Sequence, residues 1–213
     1  MRKTCRSDVG TEPKRPVVSR LGSVDGIMEY KPLSSEHIGR LQEIRAEYVS
    51  HRYLRLSKTG DTLELRLSLQ VEEFEEPFRS QGLSIIRSKD KESIESRMEG
   101  LSLQLVAQDK GRLVGLLDVE IEPAQGVGKV WNLLIDERYR RRGIGTELIR
   151  RARDFARAND CRAITVETQA TNWPALNFYV KMGFQICGLD DHLYTNEDLE
   201  RKEVALFLYH ELL

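Results

Sequence analysis

From Leu63 to Val71 every second residue is apolar: Leu63, Leu65, Leu67, Leu69 and Val71, with polar residues between them. A period of two over that length predicts a half-buried β-strand. Upstream, GIMEYKPLSSEH reads as a short strand followed by a turn. In SSEHIGRLQEIRAEYVSHRY, Ile38, Leu41, Ile44 and Val49 form a rough helical stripe. Ser34 or Ser35 can cap that helix, with Glu36 in its first turn.

Downstream, KDKESIESRMEGL reads as a short helix. SLQLVAQDKGRLVGLLDVEIEP reads as a hairpin turning near Lys110 and Gly111, and GKVWNLLI as a strand ending before Asp136. In GTELIRRARDFARAND, Leu148, Ile149, Ala152, Phe155 and Ala156 share one helical face, while Arg150, Arg151, Asp154 and Arg157 point away. RAITVETQ is a buried strand, WPALNFYVKMGF a short helix closed by Gly183, and EVALFLYHEL a last strand. The order predicts a mixed α/β (α+β) fold, with antiparallel strands early and a strand–helix–strand unit late.

Composition narrows this little. The 213 residues are 40% hydrophobic and 31% charged, as expected of one globular domain. Residues 1–24 are polar and basic, carry Pro13 and Pro16, and read as a flexible arm ahead of a domain at 25–213. A formal net charge of -1 gives no global field for nucleic acid or an anionic membrane, so any basic site must be local. Cys5, Cys161 and Cys187 form neither a disulfide framework nor a zinc-ligand spacing. No metal is expected, and a reducing cytoplasm is. No apolar run approaches the ~18 residues of a membrane span.

Chemistry first shows at RRRGIGTELIRRA. Arg140, Arg141 and Arg142 lead into Gly143, Ile144, Gly145 and Thr146 where a helix begins. The first N–H groups of a helix lack internal partners and sit at its positive end, glycines admit a ligand to the backbone, and arginine can grip phosphate with two donors. A P-loop would need Gly-Lys-Ser/Thr, but Gly145 precedes Thr146 and Glu147; a dinucleotide fingerprint would need a third glycine where Leu148 stands. What remains is Arg-x-x-Gly-x-Gly.

About thirty residues on, TNWPALNFYVKMGF places Asn172, Ala175, Tyr179, Gly183 and Phe184 after a strand. Together with the arginine-rich turn, this resembles the GCN5-related N-acetyltransferase (GNAT) superfamily, over about residues 26–213. The resemblance implies a central mixed, largely antiparallel twisted sheet splayed into a V and flanked by helices. It implies acetyl-CoA as co-substrate, its pyrophosphate on Arg140–Thr146 and its pantetheine arm along Leu133, Leu134 and Ile135. Asn172 and Ala175 would lie on the cofactor's other side.

Acyl transfer to an amine needs a neutral amine, a stabilised carbonyl oxygen and a protonated leaving thiolate. The resemblance makes Tyr179 the acid or a cofactor contact; packing beside Phe178 is the other reading. Many members carry a carboxylate on the strand matching VWNLLI, where this chain has Trp131 and Asn132, neither a base. Glu167, Asp190 and Asp191 are the alternatives, as is a water relay.

The stretch from Glu167 to Tyr194 further resembles the streptothricin acetyltransferase branch, through Glu167-Thr168-Gln169, Asn172, Phe178-Tyr179, Gly183-Phe184 and Asp191 before Leu193-Tyr194. That implies a small cationic amine as acceptor. VEEFEEPF, with Glu72, Glu73, Glu75 and Glu76, is expected to be an acidic loop, one that draws cations if it borders the acceptor side and otherwise a solvated one. A protein N-acetyltransferase and a low-turnover acetyl-CoA-binding module stay open beside this reading, as do monomer and homodimer.

Overall fold

The hairpin expected around Lys110 and Gly111 forms within the main sheet. Strands β4 (Leu103–Asp109) and β5 (Arg112–Glu122) pair antiparallel. Lys110 and Gly111 both adopt positive φ, as the twist of a two-residue hairpin requires. The computed structural model describes residues 28–80 and 99–212. The expected arm at 1–24 and most of the expected helix in KDKESIESRMEGL lie outside them.

Strand β1 (Glu29–Pro32) flanks β4, and β6 (Val127–Ile135) flanks β5. Beyond β6 come β7 (Ala163–Gln169), β9 (Ala205–Glu211) and β8 (Gln185–Asp190), giving the order β1-β4-β5-β6-β7-β9-β8. Only β6 and β7 run parallel; the other neighbours are antiparallel. This is the mixed, largely antiparallel sheet that was expected. Helix α2 (Ile144–Ala158) supplies the parallel crossover from β6 to β7, burying Leu148, Ile149, Ala152, Phe155 and Ala156 against one sheet face. Helix α3 (Trp173–Lys181) follows β7. Strand β8 had no counterpart in the sequence reading.

Two expectations fail in the N-terminal third. The helix expected across Ile38 to Val49 is a single turn, α1 (Ser35–Ile38), then a 3-10 turn (Leu41–Glu43), and the chain is strand β2 from Val49 to Thr59. Ile38, Leu41 and Ile44 are buried as their spacing promised, against Val106, Leu113, Leu116 and Leu134 on the sheet face opposite α2. After Ile44 the chain is drawn into pairing with β3 (Arg66–Arg79), and β-branched Val49 starts β2.

The second concerns the leucine stripe. Strand β3 exists, but Leu63 and Leu65 precede it, and Leu67 and Val71 stay about half exposed. β2 and β3 form a separate two-stranded ribbon. Tyr53 and Leu56 are buried, and Leu54 and Leu69 pack against the core. The acidic segment is strand rather than loop: Glu72, Glu73, Glu75 and Glu76 all lie within β3.

Candidate active site

The site begins where two parallel strands part. β6 and β7 pair from Val127↔Ala163 to Val130↔Val166, and no further. Both strands continue, β6 to Ile135 and β7 to Gln169. On its other edge β6 stays paired with β5 from Asn132↔Asp118 to Ile135↔Gly115, with a bulge between Val130 and Asn132. A bulge bends and twists its strand. Past it, the edge of β6 at Leu133, Leu134 and Ile135 has no strand partner among the described residues. Backbone groups on such an edge can pair with an extended ligand as a neighbouring strand would.

The turn after β6 is built around Asp136. Its carboxylate is buried and accepts hydrogen bonds from the Arg138 backbone N–H (3.0 Å), Arg138 Nε (2.9 Å) and Nη2 (2.6 Å), and the Arg45 N–H (3.3 Å). Although burial opposes the charge, these donors hold the carboxyl down at about 2. Arg140 Nη2 donates to the Glu47 carbonyl (2.6 Å), bracing the turn against the segment ahead of β2. Arg142 lies over the Tyr139 ring at 4.7 Å, and Arg141 and Arg142 are exposed.

Gly143 then turns the chain into α2 with φ of 81° and offers no capping side chain. The leading N–H groups, at Ile144, Gly145 and Thr146, therefore have neither an intrahelical acceptor nor a cap, and they sit at the positive end of the helix. Gly145 is needed for space: a Cβ there would lie 3.3 Å from Cζ of Phe178. Uncapped N–H groups beside an unpartnered strand edge fit a diphosphate carrying an extended amide arm. The same strand delivers the chain to both places.

Past the fork, side chains from three elements converge. Tyr179 on α3 is buried between Phe178 and Phe184, with ring centroids 5.3 and 5.4 Å away. Burial, and then the charge of Glu167, raise its phenol, so it is protonated at neutral pH and able to donate. Glu167 is half-buried on β7, and desolvation raises its carboxyl against the opposing influence of Tyr194 and Lys129. The Tyr194 hydroxyl donates to Glu167 Oε1. Buried Asp198 sets that tyrosine in place, accepting from the N–H groups of Tyr194 and Thr195, each at 2.8 Å. The Asn172 side chain caps α3 at the Ala175 N–H (3.2 Å), so these two residues form the helix start.

The alternative carboxylates serve the loop. Asp191 pairs with Lys58 and His192, and Asp190 accepts from the His192 N–H. The acidic strand is partly neutralised too: Glu73 pairs with Arg52 (2.9 Å) and Glu72 with Arg55 (2.8 Å), while Tyr53 donates to Glu72. Beside it a groove of about 520 Å³ runs between β2 and the loop carrying Leu199, Glu200 and Lys202.

Sequence reasoning missed one group altogether. Asp118 on β5 is fully buried and accepts from Asn132 Nδ2 at 2.8 Å. Its Oδ1 has no hydrogen-bond partner. Burial pushes its carboxyl up to about 7, opposed by Asn132. The available signal was a single carboxylate inside the apolar run LVGLLDV.

Among the described residues no cluster of three or more His, Cys, Asp and Glu side chains could hold a metal ion, and no helix is long and apolar enough to cross a membrane.

Residues 66–184 match the model of the acetyltransferase (GNAT) family. Streptothricin acetyltransferase A of Bacillus subtilis (strain 168) is 33% identical over 86 residues, 40% of this chain. The matched region spans about half of that relative, 49% of its length. A crystal structure of nourseothricin acetyltransferase superposes with a TM-score of 0.72 at 22% identity, covering 87% of this chain and 99% of the other. A Bacillus anthracis str. Ames protein, solved in complex with acetyl coenzyme A, gives 0.67 at 22% identity over 87% of this chain and 97% of its own. At these identities the two structures establish the fold.

Proposed function

The chain belongs to the acetyltransferase (GNAT) family, and on that premise we propose that it is an acetyl-CoA-dependent N-acetyltransferase acting on a primary amine of a small cationic acceptor, a streptothricin-like antibiotic first among them. The observation that carries this is the fork after Val130 and Val166, continuous with the uncapped helix start at Gly143. Acetyl-CoA supplies an acetyl group activated as a thioester. Ile144, Gly145 and Thr146 offer backbone N–H groups to its pyrophosphate, with Arg141 and Arg142 as exposed charges, Arg140 bracing the turn, and Gly143 setting its shape. The backbone of Leu133, Leu134 and Ile135 pairs with the pantetheine arm. Asn172 and Ala175 set the start of α3 on the other side.

With the diphosphate at the turn and the arm running back along β6, the reacting carbon comes to rest near the fork. Tyr179 is held protonated there and donates to the departing sulfur. Glu167, oriented by the Tyr194 hydroxyl, meets the ammonium of the acceptor. A cationic acceptor suits that carboxylate and Glu75 and Glu76 of β3, which have no ion-pair partner among the described residues.

The test is release of coenzyme A by the purified protein with streptothricin, a polyamine and a peptide amine side by side. Acetylated streptothricin seen by mass spectrometry is the expected result. Turnover of the peptide amine alone would transfer the reading to protein acetylation. Tight acetyl-CoA binding without turnover of any amine would reduce the chain to a binding module.

A further inference from the structure

We propose that Asp118 is the proton acceptor for the incoming amine, reached through one bridging water and oriented by Asn132. This rests on the acetyltransferase reading above and adds the group that reading leaves unassigned.

From Leu113 to Val119, β5 is buried without a break, and Asp118 is its one ionisable side chain. Leaving a carboxyl in such a place costs free energy unless it is fully paired. Asp118 is not: Oδ2 receives Asn132 Nδ2 at 2.8 Å, while Oδ1 has no partner. A buried polar atom left open in this way is a place for a bound water. An apolar residue paired across to a leucine at 132 would hold the sheet at least as well, so packing does not account for the acid.

Its position does. Asn132 is the first residue after the bulge, on the stretch of β6 that β7 no longer covers. Asp118 stands directly opposite it in register, one side chain behind the fork. Because an ionised carboxylate can only accept, the Asn132 amide must turn its nitrogen to Asp118, which leaves its own oxygen to accept from an ammonium in the cleft. Asn132 cannot take the proton itself.

The surroundings keep the acid responsive near neutrality. Gln104 on β4 and Asn132 on β6 lie opposite it in the two ladders, and the segment after α1 presents Leu41 and Ile44 to that sheet face. Glu120 and Lys129, paired one step further from the fork, are the next charged side chains along the strands. With no cation against it among the described residues, burial dominates and the carboxyl stands at about 7, within the range in which a general base both exists ionised and binds a proton well.

The step balances as follows. The acceptor ammonium gives one proton to the water, which passes one to Asp118 Oδ1. The freed nitrogen lone pair forms the C–N bond as the C–S bond breaks. The second proton lost by nitrogen restores Tyr179 after it has protonated the sulfur, and Asp118 returns its proton to solvent.

The test compares Asp118→Asn with Glu167→Gln. Asp118→Asn should lower kcat at pH 7 by roughly 10²-fold and leave acetyl-CoA affinity unchanged. The wild-type kcat/KM should rise with pH and level off above an apparent value near 7; in Asp118→Asn it should keep rising towards the amine's own pKa. Glu167→Gln should raise the KM for the amine and keep the wild-type limb. Transposing the pair, Asp118→Asn with Asn132→Asp, returns a carboxylate to the fork and should recover much of the rate. A folded Asp118→Asn protein with the wild-type pH profile would overturn the assignment while leaving the acetyltransferase reading intact. A wild-type protein that acetylates no amine would overturn both.

Discussion

Val130 and Val166 are the last partners between β6 and β7, and every residue proposed to touch acetyl-CoA lies past Val130 along the chain. The strands part because β6 bulges immediately after Val130 while β5 keeps holding its far edge. On the other side, β7 stays paired with β9 through Gln169, so the opening is confined to one edge of each strand. One interrupted ladder thus makes the cleft and aims the chain at the anion-binding turn.

Gly143→Val should weaken acetyl-CoA binding by well over tenfold, measured by calorimetry. A Cβ at 143 would meet no atom within 4 Å, so the penalty comes from φ of 81°, where an L-residue costs about 1–2 kcal/mol. Gly143→Asn should lose much less, since asparagine tolerates that conformation. Unchanged affinity in a folded valine variant would remove the turn from the binding site.

Tyr179→Phe keeps the ring that packs on Phe184 and deletes one hydroxyl. Turnover should fall by roughly 10²-fold or more with acetyl-CoA affinity little changed. Wild-type turnover would make Tyr179 a packing residue.

Tyr194→Phe frees Glu167 from its hydroxyl donor. The KM for a cationic amine should rise several-fold while that for acetyl-CoA stays constant. Equal changes in both constants would mean that the loop, rather than the carboxylate, had been disturbed.

Replacing Glu75 and Glu76 with glutamine should raise the amine KM and flatten its salt dependence, because exposed charges act over a Debye length of ~8 Å. Glu72→Gln should behave differently. It removes the charge and one of the two oxygens that accept from Tyr53 and Arg55, so its main effect is a lower melting temperature. A common response of all three positions would restore the picture of one acidic field.

Asp136→Asn should destabilise the fold at neutral pH by about 2–3 kcal/mol, from the donors it leaves unmatched. The folded carboxyl stands at about 2, below its ordinary value of 3.8. A depressed acid contributes stability above its unfolded pKa and loses it as pH falls through the folded one. The gap in melting temperature between wild type and variant should therefore be full above pH ~4 and close towards pH ~2. A gap that persists undiminished at pH 2 would show that shape, not charge, is what Asp136 supplies.

The sequence by itself determined the elements from Val127 to Phe184 and the order of the chemistry along them. The reasons are local. The apolar face of α2, the Asn172 cap, the turn at Lys110 and Gly111, and the paired glycines each specify conformation through residues a few positions apart. The buried triplet Ile38, Leu41 and Ile44 was legible as well, although the helix around it was not. Only the tertiary structure decided the rest, because pairing partners come from far along the chain. Gln185–Asp190 has no alternation of its own and becomes β8 by lying on the edge of β9. Val49–Thr59 becomes a strand because β3 returns alongside it, while Leu67 and Val71 of β3 stay about half exposed. The acidic run was read correctly as charge and wrongly as a free loop, since Arg52 and Arg55 reach it only across the ribbon. Asp118 is the sharpest instance. Its place in the sequence says that it is buried, but only the register of β5 on β6 sets it opposite Asn132, at the point where β7 turns away and one carboxylate oxygen is left without a partner.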